Sequence, residues 1–367
     1  MTSKAHRFIE IHQNKVALPL FLPDATFGVV RSLSSQDLRA VNIDALVMNT
    51  FHLMQKPGST TIKALGGLHR MCDWQGPIIT DSGGFQAYSL IRQNSKFGSL
   101  NEKGILFKPE GSDRRINLTP EKSIQLQFAF GANILICLDD CTHVESPYEE
   151  QILSIERTIN WAKRCKIEFV RQVSTRNLSE QERPKLFAVI QGGGYKDLRQ
   201  RCAEALLEIG FDGFGFGGWP LDSESNLLID ILYFTRQLIP PQYLIHALGI
   251  GHPFNLVRCY SIGYDLFDCA MPTRDARHGR LYVFTDPSMI NPSTPHWFKY
   301  IYINDEKHKK NNAPISEFCD CPCCSQYSLG YLNHLFNIND SLYMRLATLH
   351  NLRFMSMLTN HLHHESS

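Results

Sequence analysis

The sequence contains no apolar run that approaches the roughly 20 residues needed for a membrane-spanning helix. Its first residues, MTSKAHRFIEIHQNK, are too polar for a secretory signal peptide. A strong excess of either charge is also missing, because the formal net charge is only +1. We therefore expect a soluble, cytoplasmic protein. Any nucleic acid that it binds must be held by a local patch of charge rather than by the whole surface.

Disulfide-like spacing is absent too, although the chain has eleven cysteines. Seven are scattered through the first 270 residues, and the other four lie in the short stretch FCDCPCC. Without a secretory signal, scattered cysteines are typical of reduced thiols, whereas a dense cluster is typical of a metal site. Three cysteines and one histidine form a closed tetrahedral zinc site with no open position for catalysis. Cys323 and His334 remain alternative ligands to the predicted set, which is Cys319, Cys321, Cys324 and His350.

Eight short apolar runs, each of strand length, recur along the chain without any internal sequence repeat. They are PLFLP (19–23), ALVMN (45–49), PIIT (77–80), ILICL (134–138), LFAVI (186–190), GFGFG (213–217), LIHAL (244–248) and LFDCA (266–270). Continuous apolar character suits parallel strands that are buried on both faces. Helical patterns lie between most of the runs, and N-cap residues such as Ser34, Ser35 and Thr119 begin some of them. We predict an α/β fold, a (β/α)₈ TIM barrel, with an open doubly wound sheet as the alternative.

Two stretches depart from this rhythm. Residues 87–118 are predicted to form a hairpin inserted after the third strand, with GSLNEKG as its turn. Residues 285–335 are rich in loop-forming residues and contain the cysteine cluster. We therefore divide the chain into a barrel over 1–284 and a small C-terminal zinc-binding subdomain over 285–367, whose helices complete the barrel. The tail histidines are expected in a solvated, frayed end; they are His361, His363 and His364.

Polar residues follow the predicted strands at the point where each strand ends. The set comprises Asp81, Ser82, Asp139, Asp140, Gln191, Gly218, Trp219 and Asp268. One aspartate after a strand is often only a helix cap or a turn former. In a barrel, however, these ends share the rim that carries the active site. Convergent carboxylates suit cleavage at an acetal-like carbon, with one group as nucleophile and another moving the proton, and amides and carboxylates suit the edge of a purine.

Several motifs, in their order along the chain, resemble the tRNA-guanine transglycosylases. They are NTFHL from Asn49, DSGGFQ from Asp81, Gln191-Gly192, Gly217-Gly218, FDCxxPTR from Phe267, and the cysteine–histidine site. The resemblance covers residues 17 to 355, and DSGGFQ and FDCxxPTR are specific. It implies a (β/α)₈ barrel with a structural zinc ion. It also implies exchange of the wobble guanine of tRNA for a 7-deazaguanine, in queuosine synthesis, and by analogy alone a homodimer.

The resemblance also implies roles for individual residues. Asp268 resembles the nucleophile that attacks the ribose, and Asp81 resembles the general acid/base. The residues that resemble the base-binding set are Ser82, Phe85, Asp139, Gln191, Gly218, Trp219 and Leu248, with Phe85 and Leu248 on the two faces of the base. Arg274 and Arg277 resemble residues that grip the anticodon loop. The run Lys307–Lys310 offers further phosphate contacts, but exposed loops carry lysines routinely.

The chain departs from the bacterial pattern in one part of the predicted pocket. Bacterial members usually have GGLAVGE after the glycine-rich strand, whereas this chain has GGWPLDS from Gly217 to Ser223. Ser223 thus replaces a glutamate that helps to bind the aminomethyl group of the precursor base preQ1, and Glu224 lies one place further on. Asp140 also stands where glutamate is usual. The incoming base is therefore either queuine or preQ1, and we hypothesise that the small cationic preQ1 is no longer favoured and that queuine, the finished base, is a serious candidate.

Other functions are considered alongside this one. A non-catalytic partner subunit is disfavoured because both Asp81 and Asp268 are present. Transglycosylases that act on archaeal tRNA or on DNA are a further alternative. A tRNA-binding zinc protein would need no convergent carboxylates. A metal-dependent barrel hydrolase would need histidines at strand ends, where only His52 and His246 qualify.

Overall fold

The computed structural model describes residues 8–11, 14–93, 96, 98–108 and 115–365. The strands of these residues, β1 to β15 in chain order, are Phe8–Ile11, Asn14–Ala17, Leu20–Pro23, Leu46–Asn49, Ile78–Asp81, Gly98–Asn101, Gly104–Phe107, Ile116–Leu118, Ile134–Ile136, Lys185–Ile190, Gly213–Phe216, Leu244–Ala247, Leu266–Cys269, Arg280–Phe284 and Phe298–Tyr302.

Their helices, α1 to α14, are Ser35–Ala40, Thr50–Leu53, Ser59–Ala64, Leu68–Met71, Gly84–Gln93, Pro120–Phe130, Tyr148–Thr175, Lys196–Ile209, Ile229–Leu238, Pro253–Ser261, Met271–Arg277, Pro322–Gln326, Leu329–Asn337 and Ser341–Glu365. Short 3₁₀ turns occupy Pro287–Met289 and Glu306–His308. No helix among these residues is both long enough and apolar enough to cross a membrane.

Eight parallel strands form a closed barrel, in the order β3-β13-β12-β11-β10-β9-β5-β4. The sheet closes between its two ends, because Asp24 forms a parallel bridge with Val47 and the Ala25 N–H donates to the Val47 carbonyl at 2.8 Å. Each of the eight predicted apolar runs supplies one of these strands. The prediction of a (β/α)₈ barrel is therefore confirmed, and the open doubly wound sheet is excluded.

The barrel interior and its amino end are filled by one apolar cluster. Strand residues such as Leu22, Val47 and Phe187 pack there with Ile9 and Ile11 of the β1–β2 hairpin, which covers the end opposite the polar rim. A second, larger cluster packs the outer face of the strands against the helices. One end of the barrel is thus closed by apolar packing, which leaves the carboxyl ends of the strands for chemistry.

Local signals place several helices as the sequence predicts. Ser34 begins α1 with a capping box, in which its hydroxyl accepts from the Asp37 N–H at 3.2 Å and Asp37 accepts from the Ser34 N–H at 3.0 Å. Thr119 caps α6 by accepting from the Lys122 N–H at 3.2 Å, with Pro120 at the first helical position. Of the two serines considered for α1, Ser34 is the cap.

The insertion after the third barrel strand differs from the predicted hairpin. Residues 84–93 continue as helix α5, and a three-stranded antiparallel sheet, β6-β7-β8, follows. The turn is only Glu102–Lys103, because most of GSLNEKG pairs as strand. In the third strand Asn117 is exposed and Leu118 is buried beside Ile105. This alternation is typical of a strand with one buried face. Parts of the predicted hairpin, at 94–95, 97 and 109–114, lie outside the described residues.

The C-terminal region packs back onto the barrel. Helix α14 runs 25 residues and contacts α11, β14 and β3. The prediction of a frayed tail is wrong, since the helix reaches Glu365. His363 Nδ1 lies 2.9 Å from the Leu18 carbonyl and its ring lies 5.0 Å from that of Phe8. The tail is ordered because it packs across the amino end of the barrel.

Candidate active site and metal site

Six neighbouring barrel strands carry the predicted catalytic and base-binding residues to one rim. Asp81 ends β5 and Asp268 lies in β13. Between them along the rim, four strands are followed by the remaining candidates: Asp139 after β9, Gln191 after β10, Gly217–Trp219 after β11 and Leu248 after β12. Residues that are nearly 190 positions apart in the sequence therefore surround one opening.

Asp81 is surrounded by donors, yet its charge is poorly solvated. Asn49 Nδ2 donates to Oδ2 at 2.7 Å, and the Gly83 N–H donates to Oδ1 at 2.7 Å. Burial nevertheless raises the pKa of Asp81 to about 7, and the nearby negative charge of Asp268 adds to the rise. A carboxyl group with a pKa near neutrality can both give and take a proton, as general acid/base catalysis requires.

Asp139 and Gln191 form a buried pair on the next two strands. Gln191 Nε2 donates to Asp139 Oδ2 at 2.6 Å. Burial raises the pKa of Asp139 to about 6, while the hydrogen bonds from Gln191 and Ser82 oppose that rise. Within the described part of the chain, Gln191 Oε1 is buried without a hydrogen-bond partner. An orphaned buried acceptor is costly, so its presence at the rim indicates a place for a ligand N–H.

The carboxylate of Asp268 has two polar contacts, and Oδ1 makes both. The Gly249 N–H donates to Oδ1 at 3.0 Å, and His246 Nε2 lies 2.9 Å from the same oxygen. Oδ2 has no hydrogen-bond partner among the described residues, so its lone pairs are free to react. Burial and the charge of Asp268 both raise the pKa of Asp24 on the adjoining strand. The rim therefore concentrates negative charge on its Asp268 side.

Two exposed aromatic rings lie beside these carboxylates. Phe85 is 39% exposed and Trp219 is 40% exposed, and their ring centroids are 5.6 Å apart at an interplanar angle of 63°. Leu248, the predicted partner of Phe85, is partly buried, and a Cβ added to Gly215 would come within 3.0 Å of its Cδ1. Large apolar side chains left exposed next to polar groups are typical of a surface on which a flat ligand stacks.

Two glycines make room for the polar groups. Gly83 has a φ of +81°, and a Cβ there would lie 2.7 Å from that of Phe51. A Cβ at Gly217 would lie 2.5 Å from Gln191 Nε2, the atom that donates to Asp139. The glycines of the predicted motifs are thus needed for close approach of the backbone to the site.

A buried arginine fixes the two loops that follow β10 and β11. Arg199 is 1% exposed and donates to the carbonyls of Ile190 at 2.7 Å, Gly193 at 3.0 Å and Gly217 at 2.9 Å. Its guanidinium also lies 4.1 Å from the ring centroid of Phe216. Because one rigid group holds carbonyls of both loops, Gln191 and Gly218 keep a fixed spacing across the rim.

Arginines gather just beyond Asp268, on α11 and the loop after β3. Arg274 is exposed, and Arg277 Nη1 is buried without a partner among the described residues. Burial lowers the pKa of Arg277, and the positive charges of Arg31 and Arg274 lower it further. The carboxylate of Asp24 opposes this effect, but three guanidinium groups outnumber it, and clustered cations are typical of a phosphate-binding surface. The structure thus places both predicted arginines at the rim and adds Arg31.

The lysine run in the C-terminal region has acidic neighbours of its own. Lys307 Nζ lies 3.1 Å from Asp305 Oδ2, and Lys309 Nζ lies 2.7 Å from Glu306 Oε1. These are exposed surface pairs of small energetic value. They indicate an ordinary solvated loop rather than a phosphate site.

The predicted metal ligands converge. The candidate ligand atoms of Cys319, Cys321, Cys324 and His350 all lie within 4.8 Å of one another. His350 Nδ1 lies 3.2 Å from Cys324 Sγ, while Nε2 lies 2.7 Å from the Tyr282 carbonyl. A carbonyl can only accept, so Nε2 carries the proton and Nδ1 presents its lone pair to the thiols. Three thiols and this imidazole nitrogen fit a tetrahedral metal ion.

The two alternative ligands do not join this cluster. Cys323 is fully buried among apolar side chains, and burial raises the pKa of its thiol, which disfavours the thiolate that a metal needs. His334 lies in helix α13 and is not one of the four convergent residues. Of the two adjacent cysteines, Cys323 is thus packed in the core and Cys324 joins the candidate metal cluster.

The loop that departs from the bacterial pattern is organised by Asp222. Its Oδ1 accepts from the N–H of Glu224 at 3.0 Å and of Asn226 at 2.8 Å. Ser223 is exposed, and the Glu224 carboxylate turns back to accept from Asn226 Nδ2 at 3.3 Å. Glu224 is therefore engaged with its own loop, which argues against its replacing the glutamate that is absent at position 223.

Asp140, the other residue that departs from the bacterial pattern, pairs with a residue other than Asp139. It forms a buried ion pair with Arg157 of α7, and Arg157 also lies 3.0 Å from Glu102 Oε1. Asp140 and Arg157 line a cavity of about 410 Å³, with Tyr88 and Thr142 also in its wall. This cavity lies between α5, the inserted sheet and α7, next to the strand end that is followed by Asp139.

Some residues of the site were not assigned a role by the sequence. Asn49 lies in a quoted motif, but only the parallel pairing of β4 with β5 reveals that it donates to Asp81. Asp24 follows PLFLP, as the other aspartates follow their runs, so the same strand-end signal could have found it. No sequence pattern pointed to Arg31 as a residue of the site. His246 was noted only as a histidine at a strand end, and the structure places it against Asp268.

Comparison with known proteins agrees with this geometry. A family model described as queuine tRNA-ribosyltransferase matches residues 4–365. A queuine tRNA-ribosyltransferase of Halothermothrix orenii is 36% identical over 340 residues, which are 93% of this chain and 84% of that protein. One of Aliivibrio fischeri is 37% identical over 347 residues, 94% of this chain and 86% of its own length. One of a Psychrobacter species is 33% identical over 357 residues, 97% and 88% of the two chains.

Proposed function

The chain belongs to the queuine tRNA-ribosyltransferase family, and from this membership we propose that it is a tRNA-guanine transglycosylase, a pentosyltransferase. It exchanges the wobble guanine of tRNAs with a G-U-N anticodon for a 7-deazaguanine, in queuosine modification. The observation that carries the proposal is the rim itself. A carboxyl group with a pKa of about 7, Asp81, lies within electrostatic reach of a second carboxylate, Asp268, that has one free oxygen.

We assign the first displacement to these two aspartates. Asp268 Oδ2 attacks the ribose C1′, a C1′–O bond forms, and the bond from C1′ to the guanine nitrogen breaks. The bonding electrons leave with guanine, and protonated Asp81 supplies the proton that neutralises it. The tRNA is then held on Asp268 as a glycosyl ester.

The second displacement reverses these roles. Asp81, now a carboxylate, removes the proton from the ring nitrogen of the incoming base. That nitrogen attacks C1′ and expels the Asp268 carboxylate. Two displacements at one carbon restore the original configuration, as in retaining glycosidases. A pKa of about 7 for Asp81 suits both halves, because neither protonation state is scarce near neutral pH.

We propose that Asp139 and Gln191 read the edge of the base, together with Ser82 and the backbone of Gly218 and Trp219. Gln191 Oε1, buried without a partner among the described residues, would accept a base N–H. Carboxylate and amide groups offer the acceptors and donors that a guanine-like edge requires. Phe85 and Leu248 would lie on the two faces of the ring, since stacking needs only a flat apolar surface.

The tRNA is proposed to approach over α11. Arg274 and Arg277, with Arg31 beside them, would contact phosphates of the anticodon loop. The target nucleotide has to leave its stack before C1′ can reach Asp268, so the reaction requires base flipping.

The cysteine–histidine cluster is proposed to hold one structural Zn²⁺. The bound ion supplies a crosslink between the loop of Cys319, Cys321 and Cys324 and helix α14, which carries His350. Four protein ligands leave no open position, so no step of the exchange uses the metal. We also propose that the protein works in the cytoplasm, where tRNA is modified, and as a homodimer; both rest on the family resemblance alone.

We propose queuine as the incoming base. The supporting observations are the exposed Ser223 in place of a glutamate and the engagement of Glu224 with Asn226. A carboxylate that would bind the cationic aminomethyl group of preQ1 is therefore missing from that position. The catalytic residues are unaffected by this change. The proposal about the reaction class therefore does not depend on the proposal about the incoming base.

Exchange of labelled guanine tests both parts. Anticodon stem-loop tRNA carrying labelled guanine would be incubated with the protein and chased separately with guanine, preQ1 and queuine. We expect release of label with guanine and queuine and little release with preQ1. Efficient release by preQ1 would overturn the queuine assignment, and no release by any base would favour a non-catalytic partner subunit.

A further inference from the structure

We propose that His246 is a positioning residue for the nucleophile, holding Oδ1 of Asp268 so that Oδ2 alone faces the ribose. The inference rests on the proposed function and deepens it, because it assigns a role to a buried histidine that the two displacements leave unused. Three observations support it: the position of His246 on the strand next to Asp268, the short distance between Nε2 and Oδ1, and the absence of a hydrogen-bond partner for Nδ1 among the described residues.

The barrel brings the histidine directly against the nucleophile. His246 lies in β12, which pairs with β13, the strand of Asp268, and its side chain is fully buried. Nε2 lies 2.9 Å from Asp268 Oδ1. The two groups meet at a hydrogen-bond distance, but not at the angle of a straight hydrogen bond. Catalytic hydrogen bonds are often imperfectly aligned before the substrate binds.

The surroundings of the ring fix its tautomer. Nδ1 is buried and has no hydrogen-bond partner among the described residues. A proton on Nδ1 would leave an unpaired donor inside the barrel and turn a lone pair on Nε2 towards the negative carboxylate. Both are unfavourable, so we place the proton on Nε2, the nitrogen that lies beside Asp268. An unpaired lone pair on Nδ1 costs less free energy than an unpaired N–H there together with a lone pair facing the carboxylate.

Two N–H groups then converge on a single oxygen. The backbone N–H of Gly249 donates to Oδ1, and the ring N–H of His246 lies within hydrogen-bond distance of the same oxygen, so that a small rotation on substrate binding aligns it. The carboxylate cannot rotate freely, and Oδ2 is the oxygen presented for attack on C1′. The same two donors stabilise the carboxylate when the incoming base expels it in the second displacement. His246 therefore acts on kcat through the orientation of Asp268, without touching tRNA or base.

Substitutions at His246 distinguish its effect on the orientation of Asp268 from its contribution to packing in the barrel. His246→Phe keeps a buried ring but removes the N–H, whereas His246→Gln can place an N–H close to the position of Nε2. Asn is one carbon shorter and does not reach it. His308→Phe is the control, because His308 is also a buried histidine but lies in the C-terminal region away from the rim.

Steady-state guanine exchange and trapping of the covalent tRNA adduct provide the readouts, with thermal unfolding to check folding. We expect His246→Phe to lower kcat roughly 10- to 100-fold, with KM for tRNA and guanine unchanged within about twofold. Gln should recover most of kcat, and Asn should not. His308→Phe should exchange at the wild-type rate.

A fully active His246→Phe enzyme would overturn the proposal, as would Gln and Asn variants of equal activity or a loss confined to KM. If the Phe variant fails to fold, the comparison of Gln with Asn decides in the same way. Wild-type protein that exchanges no guanine would instead overturn the proposed function, a result distinct from an active Phe variant.

Discussion

The barrel rim and the cysteine–histidine cluster both gather titratable side chains, but they differ in how well those groups are matched. At the rim, Asp81 has a pKa raised to about 7 and Gln191 Oε1 has no partner in the described structure. At the cluster, His350 uses both ring nitrogens and Cys321 Sγ accepts from the Cys324 N–H at 3.4 Å. Polar groups that lack hydrogen-bond partners, or whose charge is unfavourable, suit a site that the substrate completes. Groups whose partners are already present suit a structural crosslink.

The two regions are nevertheless connected through α14. Asn351 on this helix donates to the carbonyls of Pro272 and Arg280 at 3.0 Å each, and Tyr343 donates to the Ala276 carbonyl at 3.1 Å. Helix α11, which follows Asp268 and carries Arg274 and Arg277, is thus held by α14, the helix that carries His350. The candidate ligands themselves do not line the rim, so we expect damage to the two regions to affect different properties.

The largest expected effect is the loss of exchange in Asp268→Ala. Removing the nucleophile should lower the rate by about 10⁴-fold, because no covalent intermediate forms. Metal content and the unfolding temperature should stay at wild-type values, measured by elemental analysis and circular dichroism. An alanine variant that still exchanges guanine at full rate would remove Asp268 from the mechanism and blur the distinction between the two regions.

Asp81→Asn should separate catalysis from stability at the rim. We expect exchange to fall by about 10²- to 10⁴-fold, because the proton donor is lost. The pKa of Asp81 is raised from 3.8 to about 7 in the folded protein, so its ionisation destabilises the fold as pH rises through that interval. Asn avoids this charge, and a shift of about three pKa units corresponds to about 4 kcal/mol at pH 8. The hydrogen bond that Asn49 donates to Oδ2 offsets part of this gain when it is lost, so we expect a net stabilisation smaller than that figure.

Urea unfolding of both proteins at pH 4 and pH 8 measures this difference. The gain in the free energy of unfolding should be present at pH 8 and shrink towards pH 4, because folded Asp81 is protonated there and the unfolded carboxyl group, with a pKa of 3.8, is about half protonated. An Asp81→Asn protein that is less stable than wild type at pH 8 would contradict the view that the rim is strained by its charge.

Cys321→Ser should have the opposite pattern to the rim variants. Loss of one thiolate weakens a metal site whose binding free energy is on the order of 10 kcal/mol, so we expect metal loss and a drop in stability of several kcal/mol. Cys323→Ser is the matched control and should retain the metal, since Cys323 lies outside the cluster. Metal retained by the Cys321 variant and lost by the Cys323 variant would mean that the ligands are misassigned.

The smallest expected effect is at the outer edge of the rim. Arg274→Ala should raise KM for tRNA roughly 3- to 10-fold and reduce the slope of log KM against log salt by about one, with kcat nearly unchanged. Lys309→Ala is the comparison, because its ammonium is already paired with Glu306 at 2.7 Å. Equal effects of the two variants would show that the arginine cluster is no more specific than an ordinary charged surface.

The sequence was most informative where a local pattern decides the structure. Buried parallel strands leave continuous apolar runs, and each of the eight runs became a barrel strand. Strand ends share a rim, so the positions of Asp81, Asp139 and Asp268 followed from the fold. The cysteine spacing indicated a metal site with Cys323 and His334 as alternatives, and the four predicted ligands converge as expected.

What the sequence left open depends on contacts across the fold. Asn49 meets Asp81 only through the register of two parallel strands, and His246 meets Asp268 for the same reason. The third strand of the insertion and the ordered tail depend on burial against distant segments, which no local period encodes. Helix α5, Gly84–Gln93, was missed because its residues from 87 onwards were assigned to a hairpin.

The most direct test of the account is to find where the tRNA becomes attached. Wild-type protein would be incubated with anticodon stem-loop RNA, denatured to trap the covalent complex, digested and analysed by mass spectrometry. The account predicts a ribosyl adduct on Asp268, formed by wild type and absent from Asp268→Ala. An adduct on Asp81, or guanine exchange that proceeds without any adduct, would contradict it.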